Sequence, residues 1–299
     1  MKDLIIIHDP EYGNWVFDHL HPTQGRRFIN GYNALIMHAN AEGLTHETRK
    51  PHIPQRAQLT RIHDIGYVSE VVDHYKSGEW HGERPDMARL AQLFVGGTLN
   101  ALDALRNGDT LTAVNLPGAK HHAARDASAG FCVFADFAIA AHDVVDNDGL
   151  RVAILDVDGH HGDGTEALTY YSDSILTYSI HQHGIYPGTG LTDQPDRYVY
   201  NWPLRDGAGN RELHQAIGDF LDVAGSWRPH YVFVTGGADG HRLDPLTGLT
   251  YTVDGLETAM QRVREAFPVT PILFGGAGGY QPDGATPLAW ARMVTALAS

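Results

Sequence analysis

Residues 156–163 read DVDGHHGD and follow the apolar run Val152-Ala153-Ile154-Leu155, so acids and histidines stand where a buried strand empties into a loop. Five of these eight residues are metal-ligand types: Asp156, Asp158, His160, His161 and Asp163. In an extended chain alternate side chains share one side, which puts Asp156, Asp158 and His160 together for as long as the strand register lasts. Carboxylates and imidazoles converging beside an apolar sheet are costly to bury unless a positive charge compensates them, and a divalent metal does so. The plainer alternative is a polar loop capping a helix at Gly164-Thr165-Glu166, a task that needs far fewer ligand-type residues.

Three further strings carry polar chemistry. Gly237-Ala238-Asp239-Gly240-His241 follows the apolar run Tyr231–Val234. Taken alone, Asp239 reads equally well as a helix N-cap; beside the first cluster it completes a three-ligand set, Asp158, His160 and Asp239, with an open position, the pattern of catalytic zinc. The tandem His121-His122 sits in a Gly-flanked loop after another strand. Tandem histidines are often coincidental, but two imidazoles near an activated water can divide the work of base and acid if carboxylates push their proton affinities apart. Asp156 and Asp163 are the free carboxylates for that role. Finally, Gly275-Gly276-Ala277-Gly278-Gly279-Tyr280 lets backbone approach a ligand closely. A phosphate cradle would need a following GKS or GKT, and none is present; Tyr280 instead offers a hydroxyl to a developing oxyanion.

The elements that must position these residues follow from hydrophobic periodicity. Continuous apolar runs at 4–7, 112–114, 152–155, 175–178, 231–234 and 272–274 predict strands buried on both faces. Amphipathic stretches at 27–40, 87–105, 134–144, 212–224, 253–266 and 287–297 predict helices between them. The expectation is a three-layer α/β/α sandwich around a parallel sheet, a single domain over residues 1–299. Gly and Pro cluster just after the strands, and in open parallel sheets ligands bind outside the carboxyl ends of the strands.

Composition narrows the function. With 22 basic residues against 36 acidic ones the net charge is −14, which argues against nucleic acid as a partner. The single cysteine, Cys132, excludes an internal disulfide framework and a multi-thiolate zinc site, leaving His and carboxylate as ligands. It also fits a reducing compartment. The opening MKDLIIIHDP has only four consecutive apolar residues, and no membrane-spanning run occurs. A cytoplasmic protein without a membrane partner is expected.

In order along the chain stand HPTQGRR at 21–27, HHA followed by SAGFCVF, then DVDGHHGDGT, YPGTG, GGADGHRLDPLTGL and GGAGGY. This series resembles the histone deacetylase family, including its bacterial acetoin-utilisation and acetylpolyamine amidohydrolase branches. The resemblance implies the arginase-like three-layer fold, with Asp158, His160 and Asp239 as ligands of Zn2+ or Fe2+. It implies catalytic His121 and His122 backed by Asp156 and Asp163 respectively, and Tyr280 as the oxyanion donor. Phe131 and Tyr186 would be the walls of an acyl-lysine tunnel, with Gly130 and Leu246 also contacting substrate and Arg27 behind the site. A structural K+ would be held by backbone carbonyls of Asp156, Asp158 and His160 beside Ser179. The family's acidic rim residue has no obvious counterpart in the short segment 79–93, where Glu83 or Asp86 is the expected substitute. Leu246 stands where polyamine-selective relatives carry an acid.

The reaction so implied is hydrolysis of an N-acylated amine: acetyl-lysine, an acetylpolyamine or an acetylated small metabolite. Homo-oligomer formation is compatible with it. Two other classes compete. An arginase-like binuclear-manganese amidinohydrolase would require a second DxHxD string, which the chain lacks; a non-catalytic acyl-amine binding module would not require every catalytic position to be filled.

Overall fold

The computed structural model describes residues 1–299. Its centre is one sheet of eight strands, all parallel: β1 (Leu4–Ile7), β2 (His46–Arg49), β3 (Thr112–Asn115), β4 (Val152–Asp156), β5 (Ile175–Gln182), β6 (Val199–Leu204), β7 (Tyr231–Thr235) and β8 (Ile272–Gly275). The spatial order is β2-β1-β3-β8-β7-β4-β5-β6. Interior strands β1, β3, β4, β5, β7 and β8 are buried at every residue, because helices cover both faces, and they are the six runs that periodicity predicts.

Nine helices lie between the strands: α1 (Arg26–Ala41), α2 (Arg56–Leu59), α3 (Ile65–Val72), α4 (Pro85–Arg106), α5 (Asp136–Asp148), α6 (Asp163–Thr169), α7 (Asn210–Trp227), α8 (Val253–Ala266) and α9 (Ala285–Ala298). One layer packs α1 on α9, α9 on α8 and α8 on α7; the other packs α3 on α4, α4 on α5 and α5 on α6. The helices bury single stripes. In α8 the buried Leu256, Ala259, Met260 and Val263 fall at i, i+3, i+4 and i+7, and the Thr252 hydroxyl caps the start by accepting from Gly255 N at 3.0 Å. Helix α5 stops at Gly149, whose φ of 68° few other residues adopt cheaply. None of the helices is long and apolar enough to cross a membrane.

Because the strands are parallel, their carboxyl ends share one edge. The register puts Asn115 opposite Gly275, Gly275 opposite Thr235, Thr235 opposite Asp156 and Asp156 opposite Ser179. Every residue string singled out for chemistry leaves the sheet at or just beyond this rung. One detail departs from the expected geometry: β4 ends at Asp156, so Asp158 and His160 lie in a bend rather than in an alternating strand.

Candidate active site

The bend after β4 is built by carboxylates bonding nearby backbone. Asp158 N donates to Asp156 Oδ1 at 3.0 Å and His160 N to Asp158 Oδ1 at 3.0 Å, which turns the chain so that Asp158 and His160 face the loop after β7. There Asp239 accepts from Gly159 N at 2.8 Å through Oδ1 and from His160 Nδ1 at 2.7 Å through Oδ2. The loop after β8 closes the third side, Gly278 N donating to Asp158 Oδ2 at 2.6 Å. A Cβ on Gly278 would lie 2.5 Å from that same oxygen, so the close approach requires glycine.

Potential ligand atoms of Asp158, His160 and Asp239 thus lie within 4.8 Å of one another, all three residues buried. Burial and the neighbouring Asp158 charge push Asp239 up to about 6. Burial works against a charge on His160, yet Asp158 and Asp239 outweigh it and push the ring up to about 11. Two buried carboxylates held this close with only an imidazole between them form a site that calls for a cation. One nitrogen and two oxygens suit a borderline divalent ion such as zinc or iron(II).

The two histidines after β3 are adjacent in sequence and differently placed. His121 Nδ1 donates to Asp156 Oδ2 at 2.7 Å, and His122 Nδ1 to Asp163 Oδ1 at 2.7 Å. Asp163 is the first residue of α6, which is anchored to the same loop by Thr165 N donating to His121 O at 2.9 Å. Burial opposes a charge on His121, but Asp156 and Asp158 overcome it and push its pKa up to about 9. Burial and the His121 charge hold His122 down to about 4. The surroundings thus drive the two imidazoles apart, His121 toward the cation and His122 toward the neutral ring. With Nδ1–H committed to Asp163, the free lone pair of His122 is on Nε2.

Above the ligands opens a cavity lined by Glu79, His122, Gly130, Phe131, His160, Ile185, Tyr186, Leu246 and Tyr280. Of the paired histidines only His122 reaches it. Phe131 stands edge-on to Tyr280 with ring centroids 6.1 Å apart, and Tyr186 edge-on to His122 at 5.0 Å. Gly130 has φ +54°, and a Cβ there would lie 2.3 Å from His122 Cδ2, so glycine is what lets this wall meet the histidine. Arg27, in the first turn of α1, is buried behind Tyr280, donating to Gly279 O at 2.8 Å with its guanidinium carbon 5.4 Å from the Tyr280 ring centroid.

The structure thus gathers the twelve residues nominated for ligation, catalysis and substrate contact: Asp158, His160 and Asp239 at the floor, His121, His122, Asp156 and Asp163 beside it, and Gly130, Phe131, Tyr186, Leu246 and Tyr280 in the wall. It corrects the expected acid. Glu83 is exposed and Asp86 pairs with Arg84 at 2.7 Å, whereas Glu79 lines the cavity and accepts from Phe131 N at 3.0 Å. Phe131 has φ +66°, a costly conformation for a non-glycine residue that this bond helps to hold. The structure adds Asp244, which accepts from Tyr280 N at 2.7 Å and from Leu246 N at 3.0 Å, tying two wall residues together. It lies inside the quoted GGADGHRLDPLTGL string, where an acid five residues after Asp239 was the available signal.

The family model for the histone deacetylase domain matches residues 21–297. The acetoin utilization protein AcuC of Bacillus subtilis (strain 168) is 30% identical, the alignment covering 98% of this chain and 81% of that one. AcuC of Staphylococcus aureus (strain Mu50) is 30% identical over 83% of this chain and 70% of its own, and a probable deacetylase of Archaeoglobus fulgidus 33% over 70% and 61%. With the family model running through nearly all of the sheet and every loop of the cavity, the chain belongs to the histone deacetylase family.

Proposed function

We propose that the chain is a metal-dependent amidohydrolase that removes an acetyl or short acyl group from an N-acylated amine. The observation that carries this reading is the convergence, in one cavity, of the Asp158–His160–Asp239 triad, a neutral imidazole with its lone pair free, and the Tyr280 side chain. Zn2+, with Fe2+ as the alternative, would be held by the triad and would supply Lewis acidity toward the acyl oxygen and water. The rest is done by the chain. His122, neutral and oriented by Asp163, takes a proton from the attacking water through Nε2; lining the cavity, it then returns that proton to the leaving amine. His121, held as a cation by Asp156, adds positive charge beside the acyl carbon.

Burial and the Asp158 charge raise Tyr280 well above the usual phenol range, so it stays a donor through the working pH range and stabilises the oxyanion. Phe131 and Tyr186 flank the linker between amine and substrate body. The carbonyl oxygens of Asp158 and His160 take no backbone hydrogen bond, which supports a structural K+ beside Ser179 as a further proposal. The ligand residues form one triad, not the two sets that a binuclear amidinohydrolase needs. We place the enzyme in the cytoplasm. The test is a screen of zinc-loaded protein against acetyl-lysine peptides, acetylpolyamines and acetylated small metabolites, with His122→Ala as control. Turnover of at least one class, lost in His122→Ala, is expected; turnover unaffected by that change overturns the assignment.

A further inference from the structure

Tyr280 lines the cavity with its hydroxyl free of any protein partner, so the direction in which that hydroxyl points is set by the backbone that carries it. The backbone arrives through Gly275-Gly276-Ala277-Gly278-Gly279. Gly279 has φ +134°, a conformation side chains rarely adopt, and a Cβ there would lie 2.6 Å from Thr286 Cγ2. A glycine at this point leaves the next peptide group free to rotate, and with it the exit direction of the Tyr280 side chain.

Two buried charged groups remove that freedom by gripping one peptide. Arg27 donates to Gly279 O at 2.8 Å, and Asp244 Oδ2 accepts from Tyr280 N at 2.7 Å, so the oxygen and the N–H of the same peptide group are held from opposite sides. The grips differ. Arg27 also stands against the rings of Phe28, Tyr280 and Trp290, so replacing it removes packing along with a hydrogen bond. Asp244 bonds Tyr280 only through the backbone, and belongs neither to the ligand triad nor to the cavity lining.

The place requires a carboxylate. Asp244 is 8% exposed and forms no ion pair, a costly position unless its oxygens are used. Both are: Oδ1 accepts from Leu246 N at 3.0 Å while Oδ2 holds Tyr280 N. An asparagine would turn its NH2 toward one of these N–H groups. Oxyanion stabilisation depends on a donor already in place when charge develops, which makes the aim of the Tyr280 hydroxyl a catalytic quantity.

Resting on the amidohydrolase reading, we propose that Asp244 is a positioning residue: by holding the Gly279–Tyr280 peptide at its N–H it aims the Tyr280 hydroxyl at the oxyanion, and it contributes to turnover only through that hydroxyl.

The experiment is a double-variant cycle on zinc-loaded protein, with kcat and KM measured for wild type, Asp244→Ala, Tyr280→Phe and the two combined. Asp244→Ala alone is expected to lower kcat about 10- to 100-fold with KM nearly constant, the penalty of a group misplaced by roughly 1 Å. In Tyr280→Phe no hydroxyl remains to be aimed, and adding Asp244→Ala should change kcat by less than about twofold. A merely structural role would not give this pattern. Lost stability or lost zinc would lower kcat equally in both backgrounds, and an effect through Leu246 would raise KM in both; zinc per chain and a thermal melt of each variant accompany the kinetics. Asp244→Asn repeats the cycle with a side chain of the same size, so that a poorly folded alanine variant does not end the test. Equal falls in the two backgrounds overturn the proposal, as does a kcat unmoved by either Asp244 change or the failure of both variants to fold. Each of these leaves the amidohydrolase reading standing while wild type turns over; no turnover of any acylated amine removes that reading and this inference with it.

Discussion

Replacing Tyr280 by Phe isolates one hydroxyl. In the structure that hydroxyl donates to no protein group, so its removal leaves no buried partner stranded. The anchors of the residue lie elsewhere: its N–H on Asp244 Oδ2 at 2.7 Å, its ring against Phe131 at 6.1 Å and the Arg27 guanidinium carbon 5.4 Å from its centroid. All of these survive in Phe. Stability should therefore change by no more than about 0.5 kcal/mol, as for a substitution that breaks no contact. Catalysis should not be spared. If the hydroxyl donates only when the oxyanion forms, its loss removes about 2.7–4 kcal/mol of transition-state stabilisation, roughly a 100- to 1000-fold fall in kcat. Because the interaction is absent in the ground state, kcat and kcat/KM should fall together with KM nearly constant. Steady-state kinetics on a hydrolysed acyl-amine, alongside a thermal melt, read both quantities. A fall in kcat below about fivefold, or a rise in KM that accounts for the loss, would refute the oxyanion role.

Three other outcomes are expected. Asp239→Asn weakens one leg of the triad, so elemental analysis should find about one divalent ion per chain in wild type loaded with Zn2+ and a small fraction of that in the variant. Glu79→Ala strands Phe131 N at a left-handed φ and should lower kcat/KM by about tenfold, from roughly 1–2 kcal/mol of lost wall support, while Glu79→Gln, which keeps an acceptor, should recover most of it. Burial holds the pKa of His63 down to about 4 against an ordinary value of 6.5, its Nε2 accepting from Ala135 N at 3.0 Å. Above pH 6.5 both folded and unfolded forms are neutral there and nothing is lost. Between 6.5 and 4 the unfolded chain binds the proton that the folded one refuses, so stability falls with pH, by about 2 kcal/mol between pH 7 and 5. Denaturant melts of His63→Gln should show that much less loss over the same interval.

How much of this was legible depended on what each residue needed for its placement. Interior strands announced themselves because burial on both faces demands continuous apolar runs, as in Val152–Leu155. The edges did not. In β2, HETR is polar at a sheet margin, and β6 carries Pro203, whose missing N–H a strand with one open side tolerates. The same division holds in the site. Asp158, His160 and Asp239 were readable because metal-ligand types are rare in such density beside strands, but strand alternation does not group them: β4 ends at Asp156, and hydrogen bonds to the backbone, not pleating, bring them together. Glu79 was not readable, since a lone acid in the loop between α3 and α4 carries no local mark of the chain it will face 52 residues later.

The paired histidines show what kind of information only packing supplies. By sequence His121 and His122 are interchangeable, each with a carboxylate available. In the fold both make the same 2.7 Å bond, yet the surroundings push one up to about 9 and the other down to about 4. Both rings are equally buried, so the difference comes from the charges beside them. His121 lies between two carboxylates, Asp156 at its Nδ1 and Asp158 3.7 Å from its Nε2, and so gains a charge that burial alone would deny it. That charge then stands beside His122, whose own carboxylate, Asp163, is more solvated and cannot restore the proton. On the proposed reading, splitting the pair this way supplies a base at neutral pH without any residue intrinsically suited to be one. It follows that Asp156→Asn, remote from the cavity wall, should lower the His121 pKa and raise that of His122, moving the acidic limb of the pH–rate profile upward; an unmoved limb would mean that the two imidazoles do not share their charge.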